Sequence, residues 1–279
     1  KSNAPRWLLA FALLVVICYA AQPWLRFQNK LTTKQINIFF VMNLVTVGSL
    51  IFLMVYYFVG KKNFFQARSE ALLLNILPYE IAEELKANGS TKAKLFDCVT
   101  VMFTDFQNFT QIAEKLTPAE LVAEIDTLFK AFDNIISQHN IEKIKTIGDS
   151  YMCAGGLPVA NKTHAIDVVN AAMDIQQFML RHCQKRKLEG KEPFEIRIGV
   201  HTGPVVAGIV GDKKFAYDIW GDTVNVASRM ESSGEAGRIN ISGSNYELVK
   251  DRFKCRYRGK INAKHKGEID MYFVEAVLP

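Results

Sequence analysis

Two long runs without a charged residue lie near the start of the chain, and they restrict its possible folds more than any other feature. The first is Trp7–Leu25, with about 19 residues, and the second is Ile36–Val59, with about 24 residues. As α-helices, both are long enough to cross a hydrocarbon core of ~30 Å. Aromatic residues such as Trp24 and Tyr56 lie near their ends, as is typical of the membrane interface. The sequence therefore predicts two transmembrane helices, at about 7–25 and 36–59.

A secretion signal is an alternative interpretation of the first run. Lys1 and Arg6 precede the run, and Ala20-Ala21 supplies small residues near its end, as in a cleaved signal peptide. Because the chain begins with Lys1 rather than Met, we expect the natural protein to continue upstream. Further spans in that upstream part are left open.

Charge and cysteine usage narrow the class of protein. The net charge is +6, but no block of Lys and Arg with interleaved aromatic residues occurs in the sequence. We therefore favour a membrane protein with basic flanks over a nucleic-acid binder. The five cysteines are scattered and lack CxxC spacing, which indicates reduced thiols in a cytosolic domain rather than a disulfide framework or a zinc site.

The stretch Phe64–Asn88 has the apolar periodicity of an amphipathic helix, and Pro78 is placed to kink or divide it. Its apolar stripe can pack on its own domain or pair with the same helix of a second chain. We favour a parallel helix pair that carries motion from the membrane to the following domain. The expected organisation is a membrane region at 1–63, a helical linker at 64–91 and a globular domain at 92–279.

From Lys92 onward, strand and helix patterns alternate. Apolar alternation predicts two strands at Glu142–Leu157 that meet at Gly148-Asp149, and a second hairpin around Thr202-Gly203-Pro204. The order of these elements predicts an α+β fold of ferredoxin-like type, in which helices cover a largely antiparallel sheet. The other predicted elements are strands at Leu95–Thr104, Ile239–Ile241, Phe253–Tyr257 and Met271–Ala276, and helices at Phe109–Leu116, Pro118–His139, Lys162–Leu188 and Thr223–Glu231.

Two aspartates occupy the ends of predicted strands. Asp105 closes the first strand, and Asp149 lies at the tip of the central hairpin. In a ferredoxin-like sheet these elements are neighbours, so both carboxylates can share one edge. Paired carboxylate oxygens suit Mg²⁺ or Mn²⁺, whereas each aspartate alone is more often a surface turn residue.

Asn225 and Arg229 are four residues apart in a predicted helix and therefore share one face. An amide and a guanidinium on one face can hold a ribose and a developing phosphorane charge; the alternative is a solvated helix pair. Lys264 lies in a loop that ends at Gly267 and is within reach of a phosphate group.

Four segments together resemble the class III nucleotidyl cyclases: FTDFQNFT, KIKTIGDSYM, RIGVHTGPVVAGIVG and YDIWGDTVNVASRM. The resemblance extends from Lys92 to about Val277. It implies an enzyme that joins the ribose 3′-oxygen of a nucleoside triphosphate to its own α-phosphate. One departure is Asn108, where the family often has Gly; because Asn tolerates left-handed backbone, we expect the turn to survive.

The resemblance also implies a role for each candidate residue. Two Mg²⁺ or Mn²⁺ ions would be held by Asp105, Asp149 and the backbone carbonyl of Phe106. Arg197 and Lys264 would bind the phosphates, Arg229 would stabilise the transition state, and Asn225 would orient the ribose. Lys145 and Asp218, with the adjacent Ile219, would read the purine.

Hydrogen-bond chemistry then selects the base. A lysine donates to adenine N1 and an aspartate accepts from the N6 amine, whereas guanine mismatches both contacts. The expected activity is therefore that of an adenylyl cyclase with ATP as substrate; a guanylyl cyclase and an inactive cyclase-like module are the alternatives, and a ferredoxin-like nucleic-acid binder is disfavoured.

In this family, each active site forms between two catalytic domains, so the resemblance also implies a homodimer with shared active sites. The localisation would be the cell membrane, multi-pass, with a cytoplasmic catalytic domain because ATP is cytosolic.

Overall fold

The computed structural model describes residues 4–26, 32–211, 215–263 and 267–279. The chain separates into two compact units, Lys1–Ser69 and Glu70–Pro279.

The N-terminal unit is helical, with α1 at Ala4–Arg26 and α2 beginning at Thr33 and ending at Leu74. α2 is long and apolar enough to cross a membrane, and none of its described side chains is buried. Within the described residues of α1, the apolar helix Phe11–Ala21 is shorter than a membrane crossing requires. Among the described residues, one candidate span is therefore found, and the predicted pair of spans is not confirmed.

The predicted linker helix is interrupted before Pro78. α2 ends at Leu74, and α3 runs from Tyr79 to Asn88, where Gly89 adopts a left-handed φ of 70° and ends the helix. One set of apolar side chains at helical spacing packs on the core of the chain's own second unit: Leu73, Leu77, Ala82 and Leu85. Another set is exposed: Leu72, Ile76 and Tyr79. Much of the stripe therefore packs on its own domain, and pairing of the exposed set with a second chain stays a prediction.

The second unit is built on one mixed sheet with the strand order β2-β3-β1-β4-β6-β8-β7, and β5 pairs with β4. The β4–β6 pair is parallel, and the other pairs are antiparallel. The strands are β1 Lys94–Phe106, β2 Ile141–Ile147, β3 Ser150–Gly155, β4 Ile196–Ile209, β5 Tyr217–Trp220, β6 Ile239–Ser242, β7 Phe253–Ala263 and β8 Gly267–Val277.

Helices cover the sheet, and the two faces of β1 enter two different apolar cores. Met102 packs in the core with α5 and α6, while Val101 and Phe103 pack in the core that includes α3 and β5. α5 begins where Thr117 and Glu120 form a reciprocal capping box ahead of Pro118. The remaining helices are α4 Phe109–Ala113, α5 Pro118–Ser137, α6 His164–Leu188, α7 Asp222–Ser232 and α8 Gly243–Val249. This arrangement confirms the α+β fold with a largely antiparallel sheet.

The predicted hairpin at Thr202-Gly203-Pro204 is wrong, because β4 continues through these residues as one strand. Gly203 lies opposite Val99, where the register of β1 shifts by a bulge. A bulge is a position at which a sheet tolerates proline, which lacks the ladder N–H. The turn-like composition therefore marks a bulge and not a chain reversal. The structure also extends β7 and β8 beyond their predicted bounds and adds α8.

Candidate active site

The two aspartates meet at one end of the β1–β3 pair. Gly148 has a φ of 62°, which allows the two-residue turn that carries Asp149. β1 pairs with β3 up to Thr104 and Tyr151, so Asp105 lies beside Ser150. The Ser150 hydroxyl donates to Asp105 Oδ1 at 2.8 Å. The hairpin predicted from the sequence thus brings both carboxylates to one edge of the sheet.

The pKa of Asp149 is raised, first by burial and second by the negative charge of Asp105. Hydrogen bonds from its own N–H and from the Phe106 N–H act in the opposite direction. Two crowded carboxylates whose mutual repulsion raises a pKa form an environment that favours a cation.

Arg197 supplies a positive charge to this edge. It lies opposite Asp105 in the β1–β4 register, and its Nη2 donates to Asp105 Oδ2 at 3.0 Å. Its Nε donates to Glu231 Oε1 at 2.9 Å. The guanidinium is therefore fixed between a carboxylate of β1 and a carboxylate of α7.

Glu231 is a site residue that the sequence reasoning missed. Its side chain is 7% exposed, and burial raises its pKa to about 7, although Arg197 acts in the opposite direction. A signal did exist, because Glu231 follows the YDIWGDTVNVASRM segment directly. The sequence alone does not indicate that Glu231 contacts Arg197.

The proposed purine-reading residues form a pair within one chain. Lys145 Nζ of β2 donates to Asp218 Oδ2 of β5 at 2.6 Å. The other oxygen of Asp218 accepts the Ile219 N–H at 2.8 Å. The Ile219 side chain is buried in the core that includes α3, so this residue presents only its backbone to the pair.

Asn225 and Arg229 lie together on α7, as predicted. Asn225 is exposed, and Arg229 Nη1 donates to the Asn262 carbonyl at 3.3 Å. Glu231 lies two residues beyond Arg229, about 200° around a helix with 3.6 residues per turn. Asn225 and Arg229 therefore face away from the cluster of Glu231, Arg197 and Asp105. Lys264 lies outside the described residues.

Phe106 is held firmly at the end of β1. Its ring contacts four other phenylalanine rings, and its side chain is 3% exposed. Those neighbours are Phe109, Phe129, Phe132 and Phe194. The backbone around Asp105 is thus anchored by a packed aromatic cluster.

The acidic edge offers the donor set that a small divalent ion prefers. Among the described residues, no group of three or more His, Cys, Asp or Glu side chains is placed to enclose a metal ion. Two carboxylates and a backbone carbonyl nevertheless suit Mg²⁺, which usually keeps water ligands and shares substrate phosphates. The raised pKa of Asp149 agrees with this fit.

Comparisons with known proteins place this geometry in a family. The adenylate and guanylate cyclase catalytic domain matches residues 91–276. An adenylate cyclase of Mycobacterium tuberculosis is 44% identical over 208 residues, which are 74% of this chain and 46% of the relative. The chain thus spans about half the length of that curated relative.

Solved structures agree with this result. The adenylyl cyclase CyaB from P. aeruginosa is 30% identical with a TM-score of 0.63, covering 66% of this chain and 96% of its own. The catalytic core of a rhodopsin-guanylyl cyclase with converted specificity, in complex with ATPalphaS, is 38% identical with a TM-score of 0.61, covering 67% and 99%. Class III cyclases in general use divalent metal ions. On this match and these structures, the chain belongs to the class III nucleotidyl cyclase family, through its adenylate and guanylate cyclase catalytic domain.

Proposed function

We propose that this chain converts ATP to 3′,5′-cyclic AMP and pyrophosphate. The ribose 3′-oxygen attacks the α-phosphorus, the bond from that phosphorus to the oxygen bridging to the β-phosphate breaks, and the hydroxyl proton passes to solvent. The observation that carries the proposal is the Lys145–Asp218 pair at 2.6 Å, inside a domain that matches the cyclase family over residues 91–276.

The chain's own side chains supply binding, orientation and charge. Arg197 holds its guanidinium beside the acidic edge, where it binds the phosphates. Arg229 stabilises the charge that develops on the phosphoryl oxygens, and Asn225 orients the ribose. Two Mg²⁺ or Mn²⁺ ions, held by Asp105, Asp149 and the Phe106 carbonyl, would supply Lewis-acid stabilisation of the phosphates when bound. Lys264 is proposed as a further phosphate contact.

Adenine selectivity follows from the donor and acceptor pattern of the pair. Lys145 donates to adenine N1, and Asp218 accepts from the N6 amine. Guanine offers a donor to the lysine and an acceptor to the carboxylate, and each unsatisfied contact costs about 1–3 kcal/mol. The related rhodopsin-guanylyl cyclase with converted specificity was solved with an ATP analogue, which supports ATP as a substrate that this fold accepts.

We infer that each active site is shared between two copies of the chain. α7 buries Glu231 against its own Arg197, and Asn225 and Arg229 lie on the opposite face of the helix, which supports their use by a second copy. An exposed apolar pair, Val206 and Trp220, lies across β4 and β5 and suits contact with a second copy. A symmetric dimer would place the cationic face of each α7 at the acidic edge of its partner, giving two equivalent sites.

Membrane anchoring completes the proposal. α2 supports one crossing, and a second crossing by α1 is part of the proposed multi-pass arrangement. Because ATP is the substrate, the catalytic unit would face the cytoplasm.

The test is a cyclisation assay on the purified full chain, with ATP and GTP compared in Mg²⁺ and in Mn²⁺. We expect cyclic AMP as the main product, whereas cyclic GMP as the main product would replace the adenylyl assignment with the guanylyl alternative. No product from a folded chain that binds nucleotide would favour an inactive module.

The same assay tests the shared sites. Asp149→Ala chains and Arg229→Ala chains should each be inactive alone. A 1:1 mixture should recover about one quarter of wild-type activity, because half of the dimers are mixed and each holds one intact site. Absence of recovery in verified mixed dimers would count against shared sites.

A further inference from the structure

Glu231 has no part in the proposed chemistry, yet it is closely tied to the acidic edge. Its carboxylate accepts from Arg197 Nε at 2.9 Å, and the same guanidinium reaches Asp105 at 3.0 Å. A carboxylate with only 7% of its side chain exposed is costly unless it is paired and hydrogen-bonded. The Arg197 contact is therefore what allows Glu231 to be buried at this position.

The backbone around Glu231 is placed by a close approach of α7 to β4. A Cβ atom added to Gly199 would lie 1.9 Å from the Glu231 backbone nitrogen, so only glycine permits this contact. Gly199 and Arg197 are two residues apart on one strand and share a face. The helix thus rests directly beside the arginine that Glu231 binds.

The two hydrogen bonds fix the direction of the guanidinium. Glu231 binds Nε, while Nη2 of the same guanidinium donates to Asp105 at the acidic edge. Without Glu231, Arg197 would keep Asp105 as its carboxylate partner among the described contacts. It could then rotate about that single contact or fold fully onto Asp105.

We propose that Glu231 is a positioning residue that orients Arg197 toward the substrate triphosphate. It would then belong to the acidic half of the shared site, which is formed by Asp105, Asp149 and Arg197, and not to the cationic half, which is formed by Asn225 and Arg229. This inference rests on the proposed function. Glu231 shares α7 with Asn225 and Arg229, so its assignment to the acidic half separates it from its neighbours on the same helix. The competing role is anchoring of α7, and in that case Glu231 would act on Arg229.

Complementation separates these roles. The mixtures are assayed at ATP well below the wild-type KM, where the raised KM should leave a Glu231→Ala chain alone about 10- to 100-fold less active. Under these conditions the chain should recover activity when mixed with an Arg229→Ala chain, since one shared site then contains an intact acidic half and an intact cationic half. It should not recover with an Asp149→Ala chain, since both sites would then have a damaged acidic half. The control is the Asp149→Ala with Arg229→Ala mixture, which tests shared sites independently.

Each outcome of the mixing experiment has a defined meaning. Recovery with Asp149→Ala alone would assign Glu231 to the cationic half and overturn the proposal. Recovery with both partners or with neither, while the control pair recovers, would show a general structural role and also overturn it. Failure of the control pair would overturn the shared sites, and the following kinetic test then decides the role of Glu231.

Kinetics of single and double variants provide a readout that does not depend on the dimer. Glu231→Ala should raise the KM for ATP about 10- to 100-fold, the range expected for losing a hydrogen bond to a charged group. Glu231→Gln keeps an oxygen that accepts from Nε, so its KM should stay within about 3-fold of wild type. In an Arg197→Ala background, Glu231→Ala should add no further rise. An additional rise there, or a Gln variant as weak as the Ala variant, would contradict the positioning role.

Discussion

At the scale of single residues, the Lys145–Asp218 pair has a consequence for substrate binding. The two side chains satisfy each other at 2.6 Å, with exposed fractions of 39% and 19%. Under the proposed function, a purine would have to replace a formed ion pair with two hydrogen bonds of the correct polarity. A base with the wrong pattern would break the pair and leave both groups unsatisfied, which makes the pair a filter as well as a contact.

Exchange of this pair should change nucleotide preference. In the double variant Lys145→Glu with Asp218→Cys, the groups no longer match adenine, so kcat/KM for ATP should fall by about 10- to 100-fold per lost contact. Some use of GTP should appear. The measurement is the ratio of kcat/KM for ATP to that for GTP.

Lys143→Glu is the matched control for this exchange. It repeats the Lys-to-Glu replacement of position 145 on the same strand, but Lys143 binds Asp133 and not Asp218. An unaltered ATP preference in the double variant, or an equal shift in the control, would place base recognition elsewhere.

Glu142 gives a prediction about pH and stability. Burial raises its pKa to about 7, and the nearby charge of Glu80 adds to the rise. The folded state therefore holds this proton more tightly than the unfolded chain does. The resulting stabilisation is fully present below about pH 4.5 and is lost as the pH rises through about 7. At pH 8, the charged and mostly buried carboxylate should cost stability.

Glu142→Gln removes that charge and should raise Tm at pH 8 by roughly 2–4 °C, equivalent to about 1 kcal/mol in a domain of this size. Near pH 4.5, the difference from wild type should disappear. Thermal unfolding followed by circular dichroism measures Tm at both pH values. The control is Glu114→Gln, a substitution of an exposed glutamate. The same Tm difference at both pH values would indicate a packing effect rather than a charge effect.

The positions of several proposed site residues could be predicted from their types and spacing, but their hydrogen-bond partners could not. Asp149 follows from the two-residue turn at Gly148, and Lys145 and Asp218 follow from the family motifs. Glu231 could not be predicted as a partner of Arg197, because that contact depends on the close approach of α7 to Gly199. That contact joins residues distant in sequence, and no local pattern reports it.

At the scale of elements, α7 and β4 form a close junction beside the candidate site. One face of α7 buries Val226, Met230 and Glu231, and the other carries Asn225 and Arg229. The helix lies close to the strand at Gly199, where any side chain would collide with backbone. Backbone cannot move aside as a flexible side chain can, so this contact is sensitive to a single methyl group.

Gly199→Ala should therefore destabilise the catalytic unit by more than the usual ~1–3 kcal/mol of an overpacked core, and activity should fall with stability. Urea unfolding and the cyclase assay test this expectation. Gly243→Ala is the control, because its added Cβ would make an ordinary contact of 3.4 Å with Asp270. A Gly199→Ala chain as stable as wild type would mean that α7 can shift without cost.

Helix starts and turns were predicted well, because nearby residues determine them. Strand bounds were predicted poorly, because they depend on pairing with strands that are distant in sequence. The start of α5 at Pro118 and the turn at Gly148 are local, and both were predicted. Thr202-Gly203-Pro204 has a turn composition, yet the chain stays extended because β1 bulges opposite it. The bounds of β7 and β8 likewise depend on pairing with each other, which a single strand's sequence does not encode.

At the scale of the whole molecule, the two units have opposite solvent preferences. α2 exposes apolar side chains along its length, including Phe52 at 69% and Leu44 at 64% exposed. The unit Glu70–Pro279 contains its own packed cores. The first unit is therefore suited to lipid, and the second is suited to fold in water.

Removal of residues 1–69 should release the catalytic unit from membranes. The full chain should sediment with membranes at high speed and require detergent, whereas a chain that begins at Glu70 should remain in the supernatant. If the N-terminal helices help to hold a dimer, the specific activity of the shorter chain should depend more steeply on protein concentration. A full chain that high salt alone releases would contradict a spanning helix.

The length of α2 bears on how a signal could travel. Its 42 residues extend over about 63 Å, and the apolar run accounts for little more than half of that distance. The remaining turns form a rod without a break up to Leu74. If α2 spans a membrane as proposed, a twist of the helix would meet no break in the helical backbone before Leu74, and Asn75–Pro78 is the first interruption that it would reach.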